Sequence, residues 1–405
     1  MLTLYNSLGK KMEEFHPVNP EVVNIFTCGP SVYQQAHIGN FRTFLFEDVL
    51  VRYLEYSGYK VQRGMNFTDI EDKALKEARR KNVSLRELTV KNIETFLHEM
   101  QALKMKMPEY LPRASEHVDQ AVGIIGQLIE KGVAYHFGNN IYFDPLKFPG
   151  FGKIYGLDMT KWPLKKIRFH RDTYTGLRWN MGDFILWHGC RAEDRVCWKT
   201  DIGTGWPAWN IQDPSMVSSH FEEPLSIYCG GIDNLIRHHD YSAAILESVR
   251  PYPMSRLWLH CRHLFVNGKK MSKSTGNIIY LDSLLKQGYT REEIRFSLIY
   301  GHYGKQINFR DEVMAKNANR LRAVRDRIGK INEKAGAEVD PEETGNLRIK
   351  SVFTEHMDND LNVGKAFDGV AAFLGGISVA RLRAAEASAI MSAIRGIDDV
   401  LQVLI

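Results

Sequence analysis

Two short stretches of the chain carry residue types suited to handling a phosphate. In the turn AHIGN, His37, Gly39 and Asn40 stand just ahead of an apolar-periodic run, FLFEDVLVRYLEYSGY. A turn that opens a helix presents unpaired N–H groups and the positive end of the helix dipole, and both favour an anion. The second stretch is Lys270-Met271-Ser272-Lys273-Ser274, inside VNGKKMSKSTGN. Two ammonium groups on one short arc can neutralise charge developing on a transferring phosphate, and a loop flanked by glycines can close over it. Taken singly, the first stretch is a common kind of turn and the second a solvated basic loop.

The surrounding pattern predicts the elements that would bring the two together. Residues 22–28 (VVNIFTC) are β-prone, the apolar run after Asn40 has helical spacing, and YKVQRGMNF is β-prone again. Strand, turn, helix and strand make the opening βαβ unit of a parallel, doubly wound sheet. Helical patterns follow over 84–106 and 114–133, and a loop-rich segment with short β-like pieces (NNIYFD, DFILWH) runs to about residue 195. Runs at 225–300 (LSIYCGGID, IRHHDYSAAILESV, WLHCRHLFV) then complete the sheet. Beyond about 310 the pattern is helical, and EKAGAEVDPEETGN at 333–346 is linker-like. The expected class is α/β: a Rossmann-like doubly wound parallel sheet with an α-rich insertion and a C-terminal helical bundle. The expected division is 1–83 for the first half of the sheet domain, 84–195 for the insertion, 196–305 for the second half with the lysine loop, and 306–405 for the helical region.

In this order and around a parallel sheet, HIGN and KMSKS resemble the paired ATP-binding motifs of class I aminoacyl-tRNA synthetases. TCGPSVY, NFTDIEDK (66–73), GWPAWNI (205–211), GGID (230–233), the histidine pair 238–239, GHY (301–303) and MDNDLNVGKA (357–366) are similar in sequence and spacing to cysteinyl-tRNA synthetase. That likeness covers roughly residues 2–370 and is loose in the insertion. It implies a class I synthetase catalytic domain that uses ATP and Mg²⁺ to activate an amino acid, cysteine or a related one, as its adenylate. By the same resemblance His37, Lys270 and Lys273 stabilise the α-phosphate during attack by the amino-acid carboxylate. The implied ATP site is His37, Gly39, Asn40, Gly231, Asp233, Lys270, Met271, Ser272, Lys273 and Ser274. The implied amino-acid pocket is Cys28, Tyr33, Thr68, Trp209, Asp213, His238 and Ser242. One departure is plain: the last histidine of the family's HIGH motif is Asn40, which can donate a hydrogen bond but carries no charge.

The cysteinyl family holds a zinc ion with two cysteines, a histidine and a glutamate, and the metal binds the substrate thiolate. Mapped residue by residue, those positions are Cys28, Asp213 in place of a cysteine, His238, and Ser242 in place of the glutamate. Zinc prefers thiolate and imidazole, and a serine is a poor ligand at neutral pH. The degenerate set Cys28, Asp213 and His238 is thus expected to hold zinc weakly or not at all. The competing expectation is that Asp213 pairs directly with a polar or cationic substrate side chain. A remodelled core is the third possibility.

Composition bounds the rest. The chain has 405 residues, 44% hydrophobic and 25% charged, with a formal net charge of +5. No window approaches the ~20 consecutive apolar residues of a membrane span, and the N-terminus lacks the basic-then-apolar order of a signal peptide, so a cytosolic protein is expected. Cys28, Cys190, Cys197, Cys229 and Cys261 are odd in number and have no CxxC spacing, so reduced thiols are expected. Over 314–334 the cations Lys316, Arg320, Arg322, Arg325, Arg327, Lys330 and Lys334 outnumber Asp326 and Glu333. The resemblance places this basic helix near tRNA, where phosphate contacts would be salt-dependent. No counterpart of the family's anticodon-reading domain is recognisable before Ile405. A similarly short relative joins cysteine to an amino sugar in mycothiol synthesis, so a small-molecule amine or carrier is the alternative acceptor. A non-catalytic tRNA-binding paralogue is a third option, opposed by the retained His37, Lys270, Lys273 and Asp233.

Overall fold

The computed structural model describes residues 1–161, 183–192, 194, 196–271, 275–336 and 348–405. The sequence-predicted linker therefore lies largely outside the described residues, as do Ser272, Lys273 and Ser274.

The chain begins with a hairpin, β1 (Thr3–Asn6) and β2 (Lys11–Glu14), followed by β3 (Val23–Thr27), helix α1 (Ile38–Tyr56) and β4 (Val61–Met65). Then come α2 (Asp72–Lys81), α3 (Leu85–Ala102), α4 (Val118–Glu130), β5 (Ala134–Phe137), β6 (Asn140–Phe143), β7 (Phe184–Gly189), β8 (Trp198–Thr200) and β9 (Gly203–Pro207). The second half holds α5 (Trp209–His220), β10 (Leu225–Gly231), one π turn (Leu235–His239), α6 (Asp240–Val249), β11 (Ser255–Cys261), β12 (Leu264–Val266) and β13 (Lys269–Lys270). Last are α7 (Leu281–Lys286), α8 (Arg291–Ile299), β14 (Ile307–Phe309), α9 (Asp311–Asn332), α10 (Arg348–Met357), α11 (Val363–Gly376) and α12 (Ala384–Leu401).

The central sheet is parallel, in the order β11-β10-β3-β4. Every residue of β3 is buried, as a parallel strand covered on both faces must be. From β3 the chain moves through α1 to β4 on one side, and it later returns with β10 on the other side of β3. The order therefore reverses between β3 and β10, and a crevice at the carboxyl ends of such strands is where open α/β sheets bind ligands. Between the two halves, β5, β6, β7, β9 and β8 form a separate antiparallel sheet. The insertion thus adds a small sheet to the helices α3 and α4, because its short alternating runs pair with each other. Gly189 and Trp198 both face Gly205 across β9, from opposite sides. That pairing brings Cys190 and Cys197 to a Cα separation of 6.2 Å, and they form a disulfide. This corrects the expectation of reduced thiols throughout; Cys28, Cys229 and Cys261 are free and buried.

Helix α1 runs through the middle of the molecule and is fastened by buried charge. Arg63 of β4 donates to Glu47 at 3.0 Å, and Arg295 of α8 donates to Asp48 at 2.6 Å. Arg42 donates to four backbone carbonyls, those of Arg262, Leu298, His302 and Lys305. The first turn of α1 is thereby tied to the segments that follow β11 and α8. Strand β1 is pinned to the MDNDL turn: Tyr5 N–H donates to Asp360 Oδ1 at 2.8 Å, and Tyr303 OH donates to the same oxygen at 2.5 Å.

Candidate active site

A cavity of about 370 Å³ opens where the sheet order reverses. Its lining includes Cys28–Pro30 after β3, His37, Gly39 and Asn40 at the head of α1, Asn66 and Thr68 after β4, Trp209 of α5, Gly231 at the end of β10 and Asp233 just beyond it, His238, and Lys270 and Met271. The turn after β3 sits against the segment after β4 so tightly that a Cβ on Gly29 would come within 1.8 Å of the Asn66 carbonyl oxygen. Gly29 N–H donates to Asn66 Oδ1 at 2.8 Å.

At the phosphate-like end, His37 is the N-cap of α1. Its Nδ1 accepts from Asn40 N–H at 3.3 Å, while Asn40 Oδ1 accepts from His37 N–H at 3.0 Å, which makes a reciprocal capping box. Asn40 thus uses its side-chain oxygen to close the helix end. Because Nδ1 is the acceptor, the ring proton resides on Nε2, and burial lowers the imidazole pKa and favours this neutral form. Lys270 Nζ lies 3.8 Å from Asp233 Oδ2, with both side chains more than half exposed. Met271 packs against the same helix end, its Cε 2.9 Å from where a Cβ on Gly39 would stand. The structure therefore gathers His37, Gly39, Asn40, Gly231, Asp233, Lys270 and Met271 around one cavity. His263 and Lys73 also line it, and neither was singled out in the sequence.

The other group of lining residues is organised by a carboxylate. Asp213 is fully buried on α5 and does not itself line the cavity. Its Oδ1 accepts from Asn66 Nδ2 at 3.0 Å; its Oδ2 accepts from His238 Nε2 at 2.8 Å, from Cys28 Sγ at 3.4 Å and from Tyr228 OH. Burial alone would raise the Asp213 pKa, but His238 and the donors from Tyr228 and Cys28 outweigh it and hold the carboxyl below its usual value. Burial, then the Asp213 charge, drive the Cys28 thiol and the Tyr228 phenol upward, so both stay protonated. Trp209 stacks on His238 with centroids 4.2 Å apart and planes 5° from parallel.

A second row continues from Cys28. His239 Nε2 is 3.0 Å from Cys28 Sγ, His239 Nδ1 is 2.8 Å from His260 Nε2, and His260 Nδ1 is 2.7 Å from Ser7 Oγ. Burial keeps both histidines neutral, with His260 pushed down to about 3. Counting donors and acceptors gives one consistent direction: Ser7 O–H to His260, His260 N–H to His239, His239 N–H to sulfur, and the thiol to Asp213. His239, His260, Tyr228 and Asn66 were missed in the sequence as members of this network. The doublet His238-His239 was the available signal, and the π turn Leu235–His239 buries both rings.

Of the four zinc positions that the family resemblance implied, Cys28 and His238 keep donors zinc prefers, whereas Asp213 stands for a cysteine and Ser242 for a glutamate. Sγ of Cys28 and one ring nitrogen each of His238 and His239 lie within 4.8 Å of one another, which is metal-like spacing. In the structure Cys28 Sγ is paired with Asp213 and His239, and both nitrogens of His239 are hydrogen-bonded. Ser242 offers a neutral hydroxyl and, like Asp213, does not line the cavity. Both are fully buried, Asp213 on α5 and Ser242 on α6. Tyr33 and Thr68 line the cavity as expected.

Comparison with solved structures defines the class. The chain resembles Mycobacterium tuberculosis methionyl-tRNA synthetase bound to methionyl-adenylate, with a TM-score of 0.66 at 14% identity over 94% of this chain and 92% of that one. It also resembles a putative arginyl-tRNA synthetase from Campylobacter jejuni, with a TM-score of 0.61 at 11% identity over 96% and 94%. This is the class I aminoacyl-tRNA synthetase fold. Residues 14–319 match the family described as tRNA synthetases class I (C) catalytic domain. The cysteine–tRNA ligase of Chlamydia pneumoniae is 34% identical over all of this chain and 86% of its own length, and that of Brachyspira hyodysenteriae is 35% identical over 90% and 78%. The chain belongs to the cysteinyl-tRNA synthetase family, as a divergent member, and is a ligase of the aminoacyl-tRNA synthetase type. Among the described residues no helix is long and apolar enough to cross a membrane.

Proposed function

We propose that the chain activates an amino acid with ATP as an aminoacyl-adenylate and passes it to tRNA. The observation that carries this is the cavity at the sheet's reversal point, lined together by the N-terminus of α1, His37, Asp233 and Lys270. An oxygen of the amino-acid carboxylate attacks the α-phosphorus, the bond from that phosphorus to the bridging oxygen breaks, and pyrophosphate leaves with the electron pair. The Nε2–H of His37 and the Lys270 ammonium supply donors to the crowded, more negative phosphorus centre, and the helix N-terminus adds its dipole. Lys273 joins them in this proposal on the strength of the KMSKS motif. Asp233 accepts from a ribose hydroxyl, and Mg²⁺ arrives with the nucleotide.

Transfer to tRNA is proposed because the relatives above are tRNA ligases and because α9 keeps exposed cations at Lys316 and Lys330, with Lys334 just beyond. Three arginines of the basic segment are occupied within the protein: Arg320 with Asp368, Arg322 with Glu293, and Arg327 with the Leu374 and Ile377 carbonyls. The test is amino-acid-dependent exchange of labelled pyrophosphate into ATP, followed by charging of bulk tRNA. Exchange with at least one amino acid is expected; ATP binding without exchange for any amino acid refutes the proposal.

A further inference from the structure

Resting on the activation proposed above, we infer that Nδ1 of His238, held as an acceptor by the buried Asp213 carboxylate, selects an amino acid whose side chain ends in a hydroxyl or amine donor. His238 is 1% exposed, lines the cavity, and is fixed on both sides: Trp209 covers its ring and Asp213 takes its Nε2–H. Its Nδ1 is buried and has no hydrogen-bond partner among the described residues. A buried polar atom without a partner is rare in a folded protein, and one beside a ligand cavity is matched when the ligand binds. With the proton on Nε2, Nδ1 presents a lone pair, so the missing partner is a donor.

Gln34 Oε1, also on the cavity lining and without a partner among the described residues, is a second acceptor for the same kind of donor, while the other neighbours are committed. Asn66 Oδ1 is used by Gly29, and Asn66 Nδ2 serves Asp213 and lies 3.4 Å from Thr68 Oγ1. The Cys28 thiol is turned to Asp213 and receives His239. Asp213 has donors on both oxygens and stands behind the wall, so it acts on the substrate through His238 as a positioning residue. A cationic metal centre would bind a thiolate; this arrangement instead puts a carboxylate behind an imidazole whose Nε2–H it takes. Sulfhydryls are weak donors, whereas hydroxyl and ammonium groups are strong ones.

The experiment measures kcat/KM for pyrophosphate exchange with serine, 2,3-diaminopropionate, cysteine and alanine on chelator-treated wild-type protein. Serine or diaminopropionate is expected to exceed alanine by about a hundredfold or more, as for sites built around a hydrogen bond, and to exceed cysteine. Comparing those two separates a hydroxyl from an amine as the preferred donor. His238→Gln keeps an N–H toward Asp213 and removes the Nδ1 acceptor, and is expected to move the donor-to-alanine ratio toward one. Asp213→Asn is expected to lower the same ratio, a readout that a loss of folded protein leaves untouched because it is internal to each sample. Cysteine as the sole substrate, with exchange abolished by the chelator, overturns the inference and leaves activation standing, and so does equal use of serine and alanine. No exchange with any amino acid overturns the activation proposal and this inference with it.

Discussion

His37 has two jobs that substitution can separate. As N-cap it accepts from Asn40 N–H through Nδ1, and as a cavity residue it offers Nε2–H. The cap contact is long, 3.3 Å, so its loss belongs near the low end of the usual range, about 0.5–1 kcal/mol. Loss of a preorganised donor to the reacting phosphate costs about 3–4 kcal/mol of transition-state stabilisation, roughly a 10²–10³-fold fall in rate. Asparagine is itself a strong N-cap whose oxygen can take the Asn40 N–H. His37→Asn is therefore expected to keep the urea midpoint of the wild type while activation falls by roughly 10²–10³. His37→Ala should show the same loss of rate together with a small drop in midpoint. Both are read by pyrophosphate exchange and by urea denaturation followed by circular dichroism. Wild-type exchange by His37→Asn would refute the assignment of Nε2–H to the phosphate. A rate loss only in His37→Ala would reduce His37 to a helix cap.

Arg42→Met strands four carbonyl groups inside the protein and is expected to destabilise it by about 3–5 kcal/mol in urea unfolding, with Arg42→Lys a poor rescue because an ammonium lacks the planar fork of donors. Charge reversal at Lys316, Lys330 and Lys334 should weaken tRNA binding and shrink its salt slope by about 0.7–0.9 per lost phosphate contact; an unchanged slope assigns these lysines to solvent. The arginines of α9 are poor probes, since reversing Arg320 or Arg322 also breaks its pair with Asp368 or Glu293. His188 and His260 are pushed down to about 3 by burial, while an unfolded histidine takes up its proton near 6.5. The unfolded chain therefore binds more protons between those values, and stability is expected to fall as pH drops below about 6.5, by up to about 1.4 kcal/mol per pH unit per histidine. Urea midpoints that are flat from pH 7 to 5 would contradict this.

The parallel sheet was legible because β3 and β10 are short β-prone runs and α1 keeps helical spacing between β3 and β4. The two phosphate-handling motifs were legible as paired local patterns, and the cavity brings HIGN together with Lys270 and Met271. The role of Asp213 was not. Its type and its place in GWPAWNIQD suggested a residue facing the substrate, but whether a carboxylate faces a cavity or stands behind it depends on how α5 packs against β10. Tyr228 was hidden for the same reason: on a strand buried on both faces around it, alternation gives no hint of which polar tip reaches a partner. The disulfide was illegible because Cys190 and Cys197 are brought together by the common strand β9, and no CxxC-like spacing announces such a pairing. The arginines of α9 read as a basic face, yet their partners, Glu293 on α8 and Asp368 and the carbonyl end of α11, lie on other elements.

The most direct test of the central claim is a rapid-quench measurement of pyrophosphate released in a single turnover, with enzyme, ATP, Mg²⁺ and amino acid present and no acceptor added. Formation of a bound adenylate predicts an amino-acid-dependent burst approaching one pyrophosphate per protein chain, followed by slow release. The absence of a burst with every amino acid, or pyrophosphate release that ignores the amino acid, would contradict it.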